Sequence, residues 1–133
     1  MCIRDSYGPF RVAADSTPRA DGLKDRASYQ LDPARPSDAW RCAQRDLAEG
    51  ADILMVKPGL PYLDLLRELS RAIRAPWAVY QVSGEFAALE ALAAQGLAHR
   101  AALHREILTA FKRAGAQMVI TYGARYAREW LAA

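Results

Sequence analysis

From about residue 38 to the end of the chain, short apolar runs alternate with segments whose apolar residues recur at helical spacing. Short apolar runs are typical of buried strands, and longer periodic segments are typical of amphipathic helices. The pattern predicts strands at 52–57, 77–82 and 117–122, and helices at 38–48, 61–74, 84–95, 99–114 and 124–132.

The order of these elements predicts the fold class. Strands that alternate with helices form parallel α/β sheets, because each crossover carries a helix. Both a doubly wound sheet and part of a (β/α)8 TIM barrel fit the order. A complete barrel takes about 250 residues, so a chain of 133 residues with three strands cannot close one.

Residues 7–36 precede the periodic region and lack its pattern. They are rich in proline, glycine, serine, aspartate and arginine. A structureless loop of this length inside a compact domain is unusual and is often an active-site lid. Composition alone favours a disordered tail. Both interpretations stay open at this point.

Composition and charge argue against several classes of function. The net charge is only +3 and the arginines are scattered, so no nucleic-acid surface is expected. Cys2 and Cys42 lack the number and spacing of a disulfide framework or a metal site, which fits a reducing cytoplasm. No apolar stretch reaches the length of about 18 residues that a membrane span needs. Residues 1–6 lack the apolar core of a signal peptide.

Lys57 is the residue whose position most strongly suggests chemistry. It ends the apolar run 53–56, and Pro58 and Gly59 stop the strand after it. Apolar surroundings disfavour the charged form of an amine, and a neutral lysine can attack a carbonyl and form a Schiff base. The alternative is a lysine whose stem follows the apolar surface while its amine reaches water.

Polar side chains follow all three predicted strands. The first strand ends in Lys57, the second in Tyr80, Gln81 and Ser83, and the third in Thr121 and Tyr122. Ligands bind at the carboxyl ends of parallel strands, so Lys57, Ser83 and Tyr122 are expected to share one pocket. An amine beside two hydroxyls suits a small substrate with a carbonyl and a carboxylate. Taken singly, Ser83 could instead N-cap the next helix, and Tyr122 could pack on the rim of the sheet.

Eight segments carry a resemblance to a known family. They are residues 7–11 (YGPFR), 25–30 (DRASYQ), 49–52 (EGAD), 55–58 (MVKP), 61–64 (PYLD), 80–85 (YQVSGE), 112–116 (KRAGA) and 121–122 (TY). Their order and spacing are similar to those of the porphobilinogen synthases, also called 5-aminolevulinate dehydratases. Several long motifs in register are far more specific than one short pattern.

The resemblance implies a partial (β/α)8 TIM barrel, made of three carboxyl-terminal strands with their helices and an active-site lid. It implies a lyase that condenses two 5-aminolevulinate molecules into porphobilinogen in tetrapyrrole (haem) biosynthesis. Lys57 resembles the lysine that forms a Schiff base with one substrate molecule, and Ser83 and Tyr122 resemble the residues that bind its carboxylate.

The lid residues of the family also have counterparts in this chain. Arg11, Arg26 and Gln30 resemble the residues that hold the carboxylate of the second substrate molecule, and two arginines can clamp a carboxylate in bidentate fashion. Residues 7–36 then form the lid, and residues 37–133 form the carboxyl-terminal part of the barrel.

The start of the chain departs from the family. Residues 1–6 match nothing in it, and the second active-site lysine of the family belongs just upstream of residue 7. The resemblance therefore implies a fragment of a longer enzyme that is inactive alone.

Metals and partners are implied only for the full-length parent. Some family members carry a cysteine-rich zinc loop, which has no counterpart here. A magnesium-binding glutamate of some bacterial members corresponds to Cys42, so no metal ligand is assigned. Asp46 and Glu49 are interpreted as solvated helix-end charges. The resemblance implies 5-aminolevulinate as the ligand, a homo-oligomer (an octamer at full length), and neither a nucleic-acid nor a membrane partner.

Two other functions remain open from the residues. Another Schiff-base barrel, such as an aldolase, would share Lys57 but would not need the lid arginines or the Ser83 and Tyr122 pair. A non-catalytic α/β fragment could bind a partner through surfaces that the missing half of the barrel leaves open. Exposed apolar edges of that kind are more often an aggregation liability than an interface.

Overall fold

The computed structural model describes residues 2–3 and 31–132 of the chain. The strands in this part are β1 (Cys2–Ile3), β2 (Leu54–Val56), β3 (Trp77–Tyr80) and β4 (Met118–Ile120). The α-helices are α1 (Pro36–Ala48), α2 (Leu63–Ala72), α3 (Ser83–Ala94), α4 (Arg100–Ala114) and α5 (Ala127–Ala132). Single 3-10 turns at Leu60–Tyr62 and Ala124–Tyr126 precede α2 and α5.

The four strands form one parallel sheet in the order β1-β2-β3-β4. Met55 lies beside Cys2 on one side and Ala78 on the other, and Ala78 lies beside Met118. The three expected strands are all present, and β1 joins the sheet as a fourth that was not predicted. A two-residue strand is too short to show the alternation that identifies strands in a sequence.

Alternation along the strands gives the sheet two unlike faces. Leu54, Val56, Trp77 and Val79 are almost fully buried. They share one core with helix residues Ala39, Ala43, Leu66, Leu69, Phe111 and Ala114. On the opposite face, the side chains of Met118 and Ile120 are 37% and 46% exposed. A doubly wound sheet carries helices on both faces, so the described elements do not fit that alternative.

Helices α2 and α4 follow their sequence patterns to different degrees. In α2 the expected apolar residues Leu66 and Leu69 are fully buried. In α4 the expected inward residue Phe111 is buried, whereas Leu103, Ile107 and Leu108 are only half-buried. His104 is buried in α4 instead. The imidazole has a partner on α3, which a hydrophobic pattern does not reveal.

Candidate active site

Lys57 directly follows β2 and lies at the carboxyl edge of the sheet. It is two residues beyond Met55, so alternation places both side chains on the face that the helices do not cover. The Nζ atom of Lys57 lies 5.4 Å from the centroid of the Tyr80 ring at the end of β3. That distance is within the range of a cation–π interaction.

Tyr80 connects Lys57 to Tyr122. The hydroxyl of Tyr80 donates a hydrogen bond to the hydroxyl of Tyr122 over 3.2 Å, and the two ring centroids are 6.4 Å apart at an interplanar angle of 29°. Tyr122 also packs on the ring of Phe86, at 6.1 Å between centroids, and its side chain is 54% exposed. Lys57, Tyr80 and Tyr122 therefore form one group of contacting side chains at the carboxyl ends of three neighbouring strands.

Ser83 is the first residue of α3 and does not cap it. The N-cap position is Val82, whose backbone is extended and whose side chain makes no capping hydrogen bond. The interpretation of Ser83 as the N-cap is therefore wrong, because the helix begins one residue earlier than predicted. Ser83 is half-buried at the start of the helix.

Glu85 supplies the cap that Ser83 does not, a role that was not predicted from the sequence. Its carboxylate accepts hydrogen bonds from the backbone N–H groups of Val82 (2.7 Å), Gly59 (3.2 Å) and Leu60 (2.5 Å). The side chain is buried. Burial raises the pKa of Glu85, and the three backbone hydrogen bonds lower it only part of the way back. The sequence does contain a signal for this cap, because a Glu three residues after an N-cap position commonly accepts a hydrogen bond from the N-cap backbone N–H.

A second polar pair joins the carboxyl ends of β3 and β4. The Thr121 hydroxyl donates a hydrogen bond to Gln81 Oε1 over 2.5 Å and accepts one from the N–H of Gly123 over 3.0 Å. The backbone N–H of Gln81 donates to the carbonyl of Ile120. Within the described part of the chain, Gln81 Nε2 is buried without a hydrogen-bond partner. This pair fixes the backbone on either side of Tyr122.

Most of the predicted lid lies outside the described residues. Arg11, Arg26 and Gln30 are not among those residues, so their expected role stays a prediction. Where the predicted lid is described, Leu31, Asp32 and Arg35 line a small cavity together with Val56 and Lys57. The described end of the predicted lid therefore borders Lys57 from the side of the hydrophobic core, against which Leu31 packs.

A polar and aromatic cluster joins α3, α4 and α5 away from Lys57. Arg100 donates hydrogen bonds to both carboxylate oxygens of Glu90, and His104 Nε2 lies 2.6 Å from Glu90 Oε1. The buried imidazole of His104 stacks on Trp130 with centroids 4.1 Å apart. Burial alone would raise the pKa of Glu90, but the bonds from Arg100 and His104 lower it below its ordinary value. The cluster fixes the packing of three helices.

The described residues do not fit a metal centre or a membrane span. They contain no group of three or more His, Cys, Asp or Glu side chains that could hold a metal ion. Cys42 is half-buried on α1. Among the described helices, none is long and apolar enough to cross a membrane.

Asp46 is not the solvated charge that the sequence suggested: it is only 2% exposed, and Arg45 donates a hydrogen bond to it over 3.1 Å.

Comparisons with known proteins agree on one family. The sequence model of the family described as "Delta-aminolevulinic acid dehydratase" matches residues 4–130. The chain is 48% identical to the delta-aminolevulinic acid dehydratase of Bacillus subtilis and 49% identical to that of Bos taurus, covering 95% and 94% of this chain. It spans only 38% and 37% of the length of those relatives.

A solved structure shows the same similarity. The delta-aminolevulinic acid dehydratase of Toxoplasma gondii, crystallised with the reaction product porphobilinogen, superposes on this chain with a TM-score of 0.83 and 46% sequence identity. The match covers 96% of this chain and 36% of that structure. The resemblance inferred from the sequence is confirmed, and the aldolase alternative has no remaining support.

Proposed function

Because the chain belongs to the delta-aminolevulinic acid dehydratase family, we propose that it forms part of an enzyme that condenses two 5-aminolevulinate molecules into porphobilinogen. The chain covers little more than a third of the relatives' length, so the activity is proposed for the full-length protein. One observation carries the proposal. Lys57 and Tyr122 both contact Tyr80 at the carboxyl ends of three consecutive parallel strands.

We also infer that the sheet is part of a (β/α)8 TIM barrel. The sequential strand order and the helices on one face support this inference. In a barrel the uncovered face becomes the interior, and active sites lie at the carboxyl ends of the strands. Lys57, Tyr80 and Tyr122 lie at or just after the carboxyl ends of their strands, and the alternation of side chains places all three on the uncovered face. Such a site requires both features.

In this proposal Lys57 forms the covalent link to the first substrate molecule. Its amine attacks the ketone carbon, a carbon–nitrogen double bond forms, and the carbonyl oxygen leaves as water with two hydrogens from the amine nitrogen. The hydroxyls of Ser83 and Tyr122 donate hydrogen bonds to the carboxylate of the same molecule. Arg11, Arg26 and Gln30 hold the carboxylate of the second molecule.

Other properties of the full-length protein rest on the family resemblance alone. We infer that it assembles as a homo-oligomer and acts in the cytoplasm. Sedimentation of the full-length protein tests the first inference, and cell fractionation tests the second.

Chemical trapping tests the role of Lys57 directly. Treating the full-length enzyme with 5-aminolevulinate and borohydride should reduce the imine and leave a stable adduct on Lys57. Peptide mass mapping then locates the adduct. Lys112, which is exposed on α4, provides the matched control. Lys57→Arg should abolish labelling, whereas Lys112→Arg should leave it unchanged. An adduct found only on other lysines would exclude the proposed role.

A further inference from the structure

The carboxylate of Glu85 joins two segments that are far apart in the sequence. Gly59 and Leu60 are the second and third residues after Lys57, and Val82 directly precedes Ser83. All three donate backbone hydrogen bonds to the same buried carboxylate. One oxygen, Oε2, accepts from both Gly59 and Val82, so a single atom bridges the two segments.

The turn that Glu85 holds is also fixed on its other side. A Cβ atom at Gly59 would lie 2.6 Å from Phe111 Cε1 and 2.7 Å from Val79 Cγ2. Both distances are far shorter than a van der Waals contact. The backbone after Lys57 is therefore confined between the hydrophobic core and the Glu85 carboxylate.

We propose that Glu85 is a positioning residue that sets the separation between the Lys57 amine and the Ser83 hydroxyl. This inference rests on the proposed function, in which those two groups meet opposite ends of one substrate molecule. In 5-aminolevulinate, two methylene groups separate the ketone carbon from the carboxylate. Misplacement of a reacting group by about 1 Å can cost about 100-fold in rate. A carboxylate shared by both segments prevents them from shifting independently.

An amide cannot replace this carboxylate. Glutamine keeps the shape of the side chain, but it has one acceptor oxygen, and its NH2 group is a donor. In Glu85→Gln at least one of the three backbone N–H groups would face another donor. The amide oxygen can occupy only one of the two positions, so either the Leu60 N–H or the N–H groups of Gly59 and Val82 lose their acceptor. In both cases the segment after Lys57 should shift slightly while the helix and the core remain.

The test compares two ketones in the full-length enzyme. Levulinate has a ketone and a carboxylate at the substrate spacing, and 2-butanone has the ketone only. Borohydride trapping on Lys57 is measured with each compound. The rate with levulinate divided by the rate with 2-butanone reports whether the Lys57 amine and the carboxylate-binding hydroxyl of Ser83 act on the same molecule. A charge-assisted hydrogen bond is worth about tenfold or more, so the wild-type enzyme should favour levulinate by at least that factor.

Glu85→Gln should reduce this ratio by about tenfold. Unfolding of part of the sample would lower both trapping rates equally and leave the ratio unchanged. Glu90→Gln is the matched control, since Glu90 is on the same helix but contacts Arg100 and His104. It should leave the ratio unaltered even if it lowers the thermal stability.

Each outcome decides a different point. A wild-type enzyme that is not trapped on Lys57 would refute the proposed function. A wild-type ratio that persists in folded Glu85→Gln would refute only the positioning role. Glu85→Asp, which keeps both oxygens on a shorter side chain, should give a ratio between those of the wild type and Glu85→Gln. If neither variant folds, Glu85 is required for folding and the positioning inference is wrong.

Discussion

At the scale of single residues, the site is organised by side chains that do not themselves carry the proposed chemistry. Tyr80 lies between Lys57 and Tyr122 and contacts both. Glu85 holds the backbone just after Lys57 and just before Ser83. Lys57, Ser83 and Tyr122 are half-buried or exposed, whereas Glu85 is buried. Accessible groups held by a buried framework are what a binding site for a small molecule requires.

The hydroxyls of Ser83 and Tyr122 give the residue-scale prediction. Ser83→Ala and Tyr122→Phe in the full-length enzyme should each remove one hydrogen bond to the substrate carboxylate. Such a bond contributes about 1.5–3 kcal/mol, so KM should rise by about 10- to 100-fold in each variant.

Two remote hydroxyls serve as controls for these variants. Thr109 on α4 donates to the carbonyl of Arg105, and Tyr126 packs against Arg100 and Trp130. Thr109→Ala and Tyr126→Phe should leave KM within a factor of about two, as substitutions outside the site do. Steady-state assays of porphobilinogen formation measure all four values. Unchanged KM in both site variants would remove Ser83 and Tyr122 from the carboxylate site.

At the scale of elements, the packing of α2 against α4 depends on the glycine that ends α4. Gly115 has φ +116, a left-handed conformation, and its N–H donates to the carbonyl of Lys112. Ser70 of α2 donates a hydrogen bond to the carbonyl of Ala114 over 3.1 Å. The helix end and the neighbouring helix therefore meet at one point with no room for a side chain.

Replacing Gly115 tests this contact. A Cβ at this position would lie 2.1 Å from Ser70 Oγ and 2.8 Å from Ser70 Cβ. Gly115→Ala should combine a strained φ with a steric clash and destabilise the protein by about 2–4 kcal/mol. Gly96 has φ +71, and a Cβ there would have nothing within 4 Å, so Gly96→Ala should cost only about 1–2 kcal/mol.

Thermal unfolding of the full-length enzyme at one heating rate compares the two variants. Equal decreases in the unfolding midpoint would show that the clash with Ser70 adds nothing to the destabilisation caused by the strained backbone.

The sequence predicted the long elements well and the short-range site geometry poorly. Helices α1 and α4 and strand β3 lie within a few residues of their predicted bounds, because long amphipathic or apolar patterns reflect the burial of whole faces. The strand at Cys2–Ile3 has no such pattern. The partners of Glu85 and Glu90 were missed because a carboxylate on a helix resembles a solvated charge until its neighbours in space are known. Lys57 and Tyr122 were expected together because parallel strands end at one edge.

At the scale of the whole molecule, the sheet has one covered and one uncovered face in the described residues. Helices α1, α2 and α4 bury the first face, and Met118, Ile120 and Tyr122 are partly exposed on or near the second. Contiguous exposed apolar surface promotes association. Unpaired edges of β-sheets have the same effect.

These features predict the behaviour of a protein that consists of the 133 residues alone. It should not form porphobilinogen, because only one wall of the proposed site is present, and it should self-associate. Size-exclusion chromatography and a porphobilinogen assay measure both properties. Turnover at about 1 per second or more, as in an ordinary enzyme, would contradict the first expectation.

A charged substitution on the uncovered face extends this test. Ile120→Lys should increase the monomeric fraction of the 133-residue protein, whereas in the full-length enzyme it should impair folding, because the proposed barrel interior would enclose the charge. Leu97, which is 69% exposed between α3 and α4, is the control, and Leu97→Lys should affect neither protein. An unchanged oligomer distribution for Ile120→Lys would show that another surface drives association.

The shared carboxylate of Glu85 also limits how the length of this protein can vary. Surface connections generally accept added or deleted residues. The connections that follow β2 and β3 should not accept such changes. An added residue in either would move the N–H groups of Gly59 and Leu60, or that of Val82, away from the Glu85 carboxylate, whose side chain has a fixed length. The exposed connection between α3 and α4, where a Cβ at Gly96 would have nothing within 4 Å, has no such restraint. A reporter peptide or a purification tag placed inside this chain belongs there.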